Sequence, residues 1–105
     1  MARYVLLVAT RPLPGMESDY HRWYNEVHLA EVLAVRGFTE AQRYEVCDTE
    51  LTPVVRPGEY LAAYTIETDD IDKTLAVFDA ARPSMTTPPS LDPASVSFQL
   101  LRVMG

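Results

Sequence analysis

The sequence predicts an α+β fold with the element order β-α-β-β-α-β. Three observations carry that expectation. Apolar or alternating runs stand near the start, at the middle and at the end of the chain. Two segments with helical periodicity lie between them. Pro- and Gly-rich stretches separate the pieces. The 105 residues amount to a single domain, 1–105, with room for a modest core.

Tyr4 to Ala9 are apolar on both alternating sets, as in a strand covered on both faces. The run is too short for the apolar core of a secretory leader, and no small-residue cleavage site follows. Pro12, Pro14 and Gly15 then mark a turn. Glu17, Ser18 and Asp19 offer caps and first-turn acids to a helix. At about 100° per residue, Tyr20, Trp23, Tyr24, Val27 and Ala30 form one apolar stripe, with Ser18, Arg22, Asn25 and Glu26 outside it. Leu29, Val32 and Leu33 form a separate set on another side. That change of phase predicts a break just after His28 and a second short helix to Val35, closed by Gly37 as a left-handed cap.

Thr39 to Cys47 read as the second strand, and Asp48 to Glu59 as a loop. Tyr60 to Thr68 form the third strand, with Tyr60, Ala62, Tyr64 and Ile66 in alternation. Asp69 or Asp70 caps the second main helix, where Ile71, Leu75 and Phe78 recur at helical spacing. Arg82 to Ala94 are a Pro-rich loop, and Ser95 to Val103 the last strand. This order is the ferredoxin-like split βαβ pattern, in which helices cover one face of an antiparallel sheet. The first and last strands nevertheless carry apolar residues on both sides. A second copy of the chain is the simplest cover, which predicts a two-fold homodimer packed sheet to sheet.

Composition narrows the function. Net charge is −6, Lys73 is the single lysine, and no basic cluster occurs, so a nucleic-acid partner is not expected. The lone Cys47 allows no internal disulfide and no multi-cysteine metal site; it fits a reducing, cytoplasmic setting and reads as packing. No apolar run reaches membrane-spanning length. His21 and His28 lie seven apart, which is not ligand spacing on one helix face, so no metal is expected. Haem would have one axial histidine at best and no Lys/Arg pair for its propionates. No phosphate loop, nucleophile elbow or dinucleotide fingerprint occurs, so no cofactor is expected.

The residues Trp23, Tyr24, His28 and Leu29, followed by the pair Gly37-Phe38 and the pair Arg43-Tyr44, resemble the EthD-like family of the dimeric α/β-barrel superfamily. The layout agrees from about Val5 onward, and its specific part is Trp23 to Tyr44. The chain departs at Ala30 and at Arg36, where relatives often carry proline. The resemblance implies a dimeric α/β barrel with a cleft between sheet and helices. The superfamily includes cofactor-free monooxygenases, decarboxylases, dehydratases, lactone isomerases, polyketide cyclases and haem-degrading enzymes, so fold alone does not select a reaction.

His28 lies about 40° round the helix from Tyr24, at the border of the apolar stripe. It reads either as a general acid or base at the mouth of a pocket, suited to that by a pKa near neutrality, or as a structural histidine capping a breaking helix. Tyr24 would orient or assist. Trp23 has the position of a core residue, and His21 lies two turns before His28 on the same side. Arg43 and Tyr44 point to opposite faces of the second strand. Arg43 would bind an anionic group or form a salt bridge. Asn25 and Glu26 fall on the solvated face. Glu31 lies within the first stripe if the helix runs on, which would bury a carboxylate near His28 and raise the histidine's pKa; the break is expected instead to swing Glu31 outward.

The expected function is that of a cofactor-independent enzyme. It would carry out a proton-transfer step (lyase, cyclase or isomerase) on a largely apolar, oxygenated ring compound, in a cleft bordered by the Pro-rich loop. His28 and Tyr24 would be catalytic; Trp23, His21, Arg43 and Tyr64 would bind substrate. Two alternatives stand beside this one. The protein would be a dimeric ligand-binding or accessory protein, or the aromatic cluster would only lock the fold.

Overall fold

Four strands form one antiparallel sheet in the order β2-β3-β1-β4, and the computed structural model describes all of residues 1–105. The strands are β1 (Ala2–Thr10), β2 (Phe38–Glu45), β3 (Tyr60–Thr68) and β4 (Ser97–Arg102). The helices are α1 (Glu17–Trp23), α2 (Leu29–Leu33) and α3 (Ile71–Ala81). β1 runs in register with β3 from Ala2 opposite Thr68 to Thr10 opposite Tyr60, and with β4 from Tyr4 opposite Arg102 to Ala9 opposite Ser97. Each β-α-β unit is therefore split by a strand of the other, which is the ferredoxin-like arrangement.

Alternation decides the two faces of the sheet. Tyr4, Leu6 and Val8 of β1 and Ala62, Tyr64 and Ile66 of β3 are buried, together with Phe38, Tyr20, Trp23, Tyr24, Val32, Val35 and Phe78, in one cluster beneath the helices. The intervening residues Val5, Leu7, Leu61 and Ala63 are only half-buried, and Leu101 on β4 is 41% exposed. The Thr52–Arg56 loop borders part of this second face near Leu7, Ala9 and Leu61.

The third strand has the expected limits; the others differ at their ends. β4 starts at Ser97 because Asp92 accepts the N–H of Ala94 and Ser95 bonds back to Asp92, winding Pro93–Ser95 into a short 3₁₀ turn. β2 ends at Glu45, leaving Cys47 exposed rather than packed. The acids at the start of α1 do not cap it. Glu17 instead accepts the N–H of Gly15 at 2.9 Å, and the helix opens at Met16 without a side-chain cap. Asp70, not Asp69, caps α3 by accepting the N–H of Lys73 at 3.1 Å. Gly37 has φ +97°, the left-handed conformation that lets α2 turn into β2, and its carbonyl accepts the N–H of Glu67 at 2.9 Å.

The second short helix starts directly after His28, as the phase change suggests, but it ends at Leu33 rather than Val35, and what precedes it is not a break. Tyr24–His28 form a π-helical turn between α1 and α2, in which the N–H of Leu29 bonds to the carbonyl of Tyr24. Such a turn takes in one extra residue without ending the helix. Chain direction is kept while side-chain phase shifts. Val27 is consequently 37% exposed and Ala30 is exposed, so neither belongs to the core stripe.

The Pro-rich segment is tied to the end of β1. Leu13 N–H bonds to Ser90 O at 2.8 Å and Asp92 N–H to Arg11 O at 3.0 Å. This fixes both residues near the sheet and leaves Met85 to Thr87 to run along the helices. No helix is long and apolar enough to cross a membrane.

Candidate functional site

A cavity of about 450 Å³ opens between the sheet, the π turn, α3 and the Pro-rich segment. Its sheet side is Val8, Thr10, Tyr64 and Phe98, and its helix side is Trp23, Tyr24, His28, Val32 and Phe78. Met85, Thr86 and Thr87 border it from the Pro-rich segment. Most of the lining is apolar, with a few hydroxyls and one imidazole, the usual make-up of a small-molecule site. At the rim, Arg82 pairs with Asp79 at 3.1 Å and lies over the Phe98 ring at 4.9 Å.

Four of the six residues singled out in the sequence meet on this wall: Trp23, Tyr24, His28 and Tyr64. The π turn brings them there by turning His28 inward, edge-on to Tyr24 at 5.2 Å between ring centres. Trp23 stacks on the His28 ring at 4.5 Å with 20° between planes. Its indole N–H donates to the Thr86 carbonyl at 3.0 Å.

His21 and Arg43 do not line the cavity. Arg43 points toward the helices, but its guanidinium stands behind Tyr24, 4.5 Å from that ring's centre. It donates to Asn25 Oδ1 at 3.0 Å and to His21 Nδ1 at 3.0 Å. It forms neither a carboxylate salt bridge nor a contact to the cavity. Asn25, expected to be purely solvated, is thus a tether between the π turn and β2. The His21 ring meets Tyr60 edge-on at 4.6 Å, outside the pocket.

Glu31 is the chief departure from the sequence expectation. Its side chain turns inward and is 23% exposed. One oxygen lies 3.3 Å from His28 Nδ1, and the other accepts the Thr86 N–H at 2.8 Å. The cause is local: after the π turn, positions 28 and 31 share one face of α2, one helical turn apart. The i, i+3 spacing was visible in the sequence. The partner on the Pro-rich segment was not, because a backbone N–H has no sequence signature. Thr10, Phe78 and Phe98 were missed as cavity residues; extending the alternation of β1 and the i, i+7 series of α3 would have found the first two.

Burial sets the ionisation of the wall. Burial lowers the His28 pKa below its ordinary 6.5, and Glu31 offsets only part of that, so the imidazole is neutral at pH 7. Burial raises the Glu31 carboxyl, but the bonds from Thr86 and His28 outweigh it and leave the pKa below 4.5. Burial raises Tyr24 above 10, against opposing effects of the neighbouring Tyr64 and Thr10 hydroxyls. Tyr64 is raised still further, by burial and then by Tyr24. Both tyrosines are therefore neutral phenols. The Tyr64 hydroxyl is buried without a well-formed hydrogen bond. No group of three His, Cys, Asp or Glu side chains comes together to hold a metal ion.

No family model and no curated protein matches the sequence. The structure does match solved structures. An EthD (ethyl tert-butyl ether degradation) family protein from Bacillus halodurans superposes with a TM-score of 0.60 at 10% identity, over 99% of this chain and 100% of the other. A protein of unknown function from Nitrosomonas europaea gives 0.57 at 13% identity, over 100% and 92%. A Chloroflexus aurantiacus protein named after the antibiotic biosynthesis monooxygenases gives 0.50 at 14%, over 98% and 94%. The chain shares with these proteins a ferredoxin-like α+β fold, the fold of an EthD family protein.

Proposed function

We propose that the protein is a cofactor-independent enzyme of EthD-like type. In this reading it moves a proton on a largely apolar, oxygenated ring compound, as in a lyase, cyclase or isomerase step. The observation that carries the reading is His28: a neutral imidazole on the wall of an apolar cavity, beside the phenol of Tyr24. A neutral imidazole on an apolar wall is in the form that accepts a carbon-bound proton. Tyr24, neutral and buried, orients the imidazole and the substrate oxygen rather than acting as a base. Trp23 and Tyr64 shape the pocket around the ring. The EthD family name among the fold neighbours supports a small-molecule role.

The chain acts as a homodimer in this reading. The half-buried Val5, Leu7, Leu61 and Ala63 with the exposed Leu101 make an apolar sheet face that a second copy covers. Sedimentation of wild type and Leu101→Lys checks this: a wild-type dimer and a variant monomer are expected, and a wild-type monomer refutes it.

The catalytic reading is tested by hydrogen–deuterium exchange at the α-carbon of an aromatic ring ketone such as 1-tetralone, followed by NMR in D₂O. Removal of the α-proton leaves its electron pair on the carbonyl oxygen as an enolate, and return of a deuteron completes the exchange. Wild type should accelerate this exchange. His28→Asn should lose about 10²- to 10⁴-fold of the rate while keeping the melting temperature within a few degrees. Ketone binding without exchange would favour a ligand-binding protein; exchange undiminished in His28→Asn sinks the assignment of the base.

A further inference from the structure

We propose that Glu31 is a positioning residue for His28. Its carboxylate holds the imidazole as the Nδ1–H tautomer, so that Nε2 presents its lone pair to the cavity. The inference rests on the reading of His28 as the proton acceptor and names the residue that fixes which nitrogen does the work.

The geometry leaves one consistent assignment of protons. Glu31 Oε1 lies 3.3 Å from His28 Nδ1. An ionised carboxylate only accepts hydrogen bonds, so Nδ1 must donate. Neutral imidazole in water prefers its proton on Nε2, and that tautomer would turn a lone pair toward the carboxylate. The contact with Glu31 therefore works against the intrinsic preference and frees Nε2, the nitrogen left to meet a ligand.

Glu31 is itself held in place. Its second oxygen accepts the Thr86 N–H at 2.8 Å, and the Thr86 carbonyl accepts the Trp23 indole N–H at 3.0 Å. Trp23 in turn lies face to face with the His28 ring at 4.5 Å. The indole thus sets the plane of the imidazole, the carboxylate sets its proton, and one residue of the Pro-rich segment, Thr86, anchors both. The remaining charged groups of the cavity, Asp79 and Arg82, pair with each other and leave Glu31 as the acid in contact with His28.

The test reads the tautomer directly and does not depend on turnover. Long-range ¹H–¹⁵N spectra of the imidazoles are recorded at pH 8, where His28 is neutral. The chain holds two histidines, so His28→Asn assigns the resonances. In wild type, His28 should show a protonated Nδ1 and a bare Nε2. In Glu31→Ala the pattern should move toward protonated Nε2, and the α-exchange kcat should fall at least tenfold with little change in KM. A wild-type spectrum with protonated Nε2 overturns the proposal, and so does an unchanged tautomer in Glu31→Ala. Should that variant fail to fold, the wild-type spectrum alone decides. A protonated Nδ1 combined with exchange undiminished in His28→Asn would remove the catalytic reading and leave the positioning contact intact.

Discussion

Replacing Trp23 by Phe separates two jobs that one side chain performs. The phenyl ring keeps an aromatic surface against His28 but loses the N–H that donates to Thr86 O at 3.0 Å. A neutral hydrogen bond contributes about 0.5–1.5 kcal/mol net. The smaller ring also leaves space in a residue that is 9% exposed, so a further 1 kcal/mol or so is lost. The sum, about 2 kcal/mol, corresponds to a fall in Tm of roughly 8–16 °C for a domain of this size. The more telling measurement is local. Thr86 is fastened to the helices by two bonds, its N–H to Glu31 and its C=O to Trp23. Losing about 1 kcal/mol of that fastening should speed exchange of the Thr86 amide about fivefold beyond any change in global stability. Amide exchange by NMR, at a denaturant concentration that equalises global stability with wild type, checks it. If Tm falls but Thr86 exchange tracks the global value, the indole is a core filler only, and the fastening of the Pro-rich segment to α1 and α2 through Thr86 is refuted.

Acid should destabilise the fold in two steps. His28, with a pKa below 6.5, contributes stability that is complete above that value and lost as pH falls through the folded pKa; Glu31 does the same below 4.5. Tm should therefore be flat, as far as these groups go, from pH 7 to 8 and decline below about 6.5. His21 is also lowered, by burial and then by Arg43, so the difference between wild type and His28→Asn isolates the first step. A Tm that rises on acidification from pH 7 to 5.5 contradicts the assignment. Asp70→Ala removes the cap of α3 and should cost about 1 kcal/mol in urea unfolding, with an unchanged slope. Gly37→Ala forces a Cβ at φ +97° to within 3.2 Å of Thr74 Cγ2, whose hydroxyl is tied to Thr68 and to Asp70 O. It should cost about 1–2 kcal/mol, and a neutral result would mean that α2 and β2 can shift apart there.

Strand periodicity carried most of the fold. β3 lies where alternation put it, since Tyr60 to Ile66 pair on both sides, Glu67 and Thr68 pair with β1, and the strand packs on one face. Ends were less legible where a side chain bonds to its own backbone, as Asp92 does before β4. Helical phase found Tyr24 and His28 as neighbours, because they are local in sequence; it placed Trp23 in the core stripe without its stack on His28. It misjudged Val27, since a π turn changes the angle per residue, and Glu31 was expected outward because a π turn that keeps the helix going looks, in phase, like a break. That Arg43 and Tyr44 face opposite ways was legible from alternation; that Arg43 is the one toward the helices, and that it meets Asn25, His21 and an aromatic ring instead of an acid, was not, because those partners come from another element. The Pro-rich loop was legible as a border of the cleft, but the two bonds of Thr86 to Trp23 and Glu31 were not, as they use its backbone N–H and C=O.

The π turn has an implication for how such a site arises and disappears. A turn of this kind differs from an ordinary one by a single inserted residue. Here the positions available for that insertion, Asn25 to Val27, are all exposed. Deleting Glu26 removes no core side chain and restores i→i+4 bonding, so α1, α2 and the sheet beneath them can keep their packing. What changes is the spacing between Tyr24 and His28, which would stand three positions apart instead of four, and with it the edge-on contact of their rings. The packed core beneath the helices and the ring contact on the cavity wall are thereby separable by one codon.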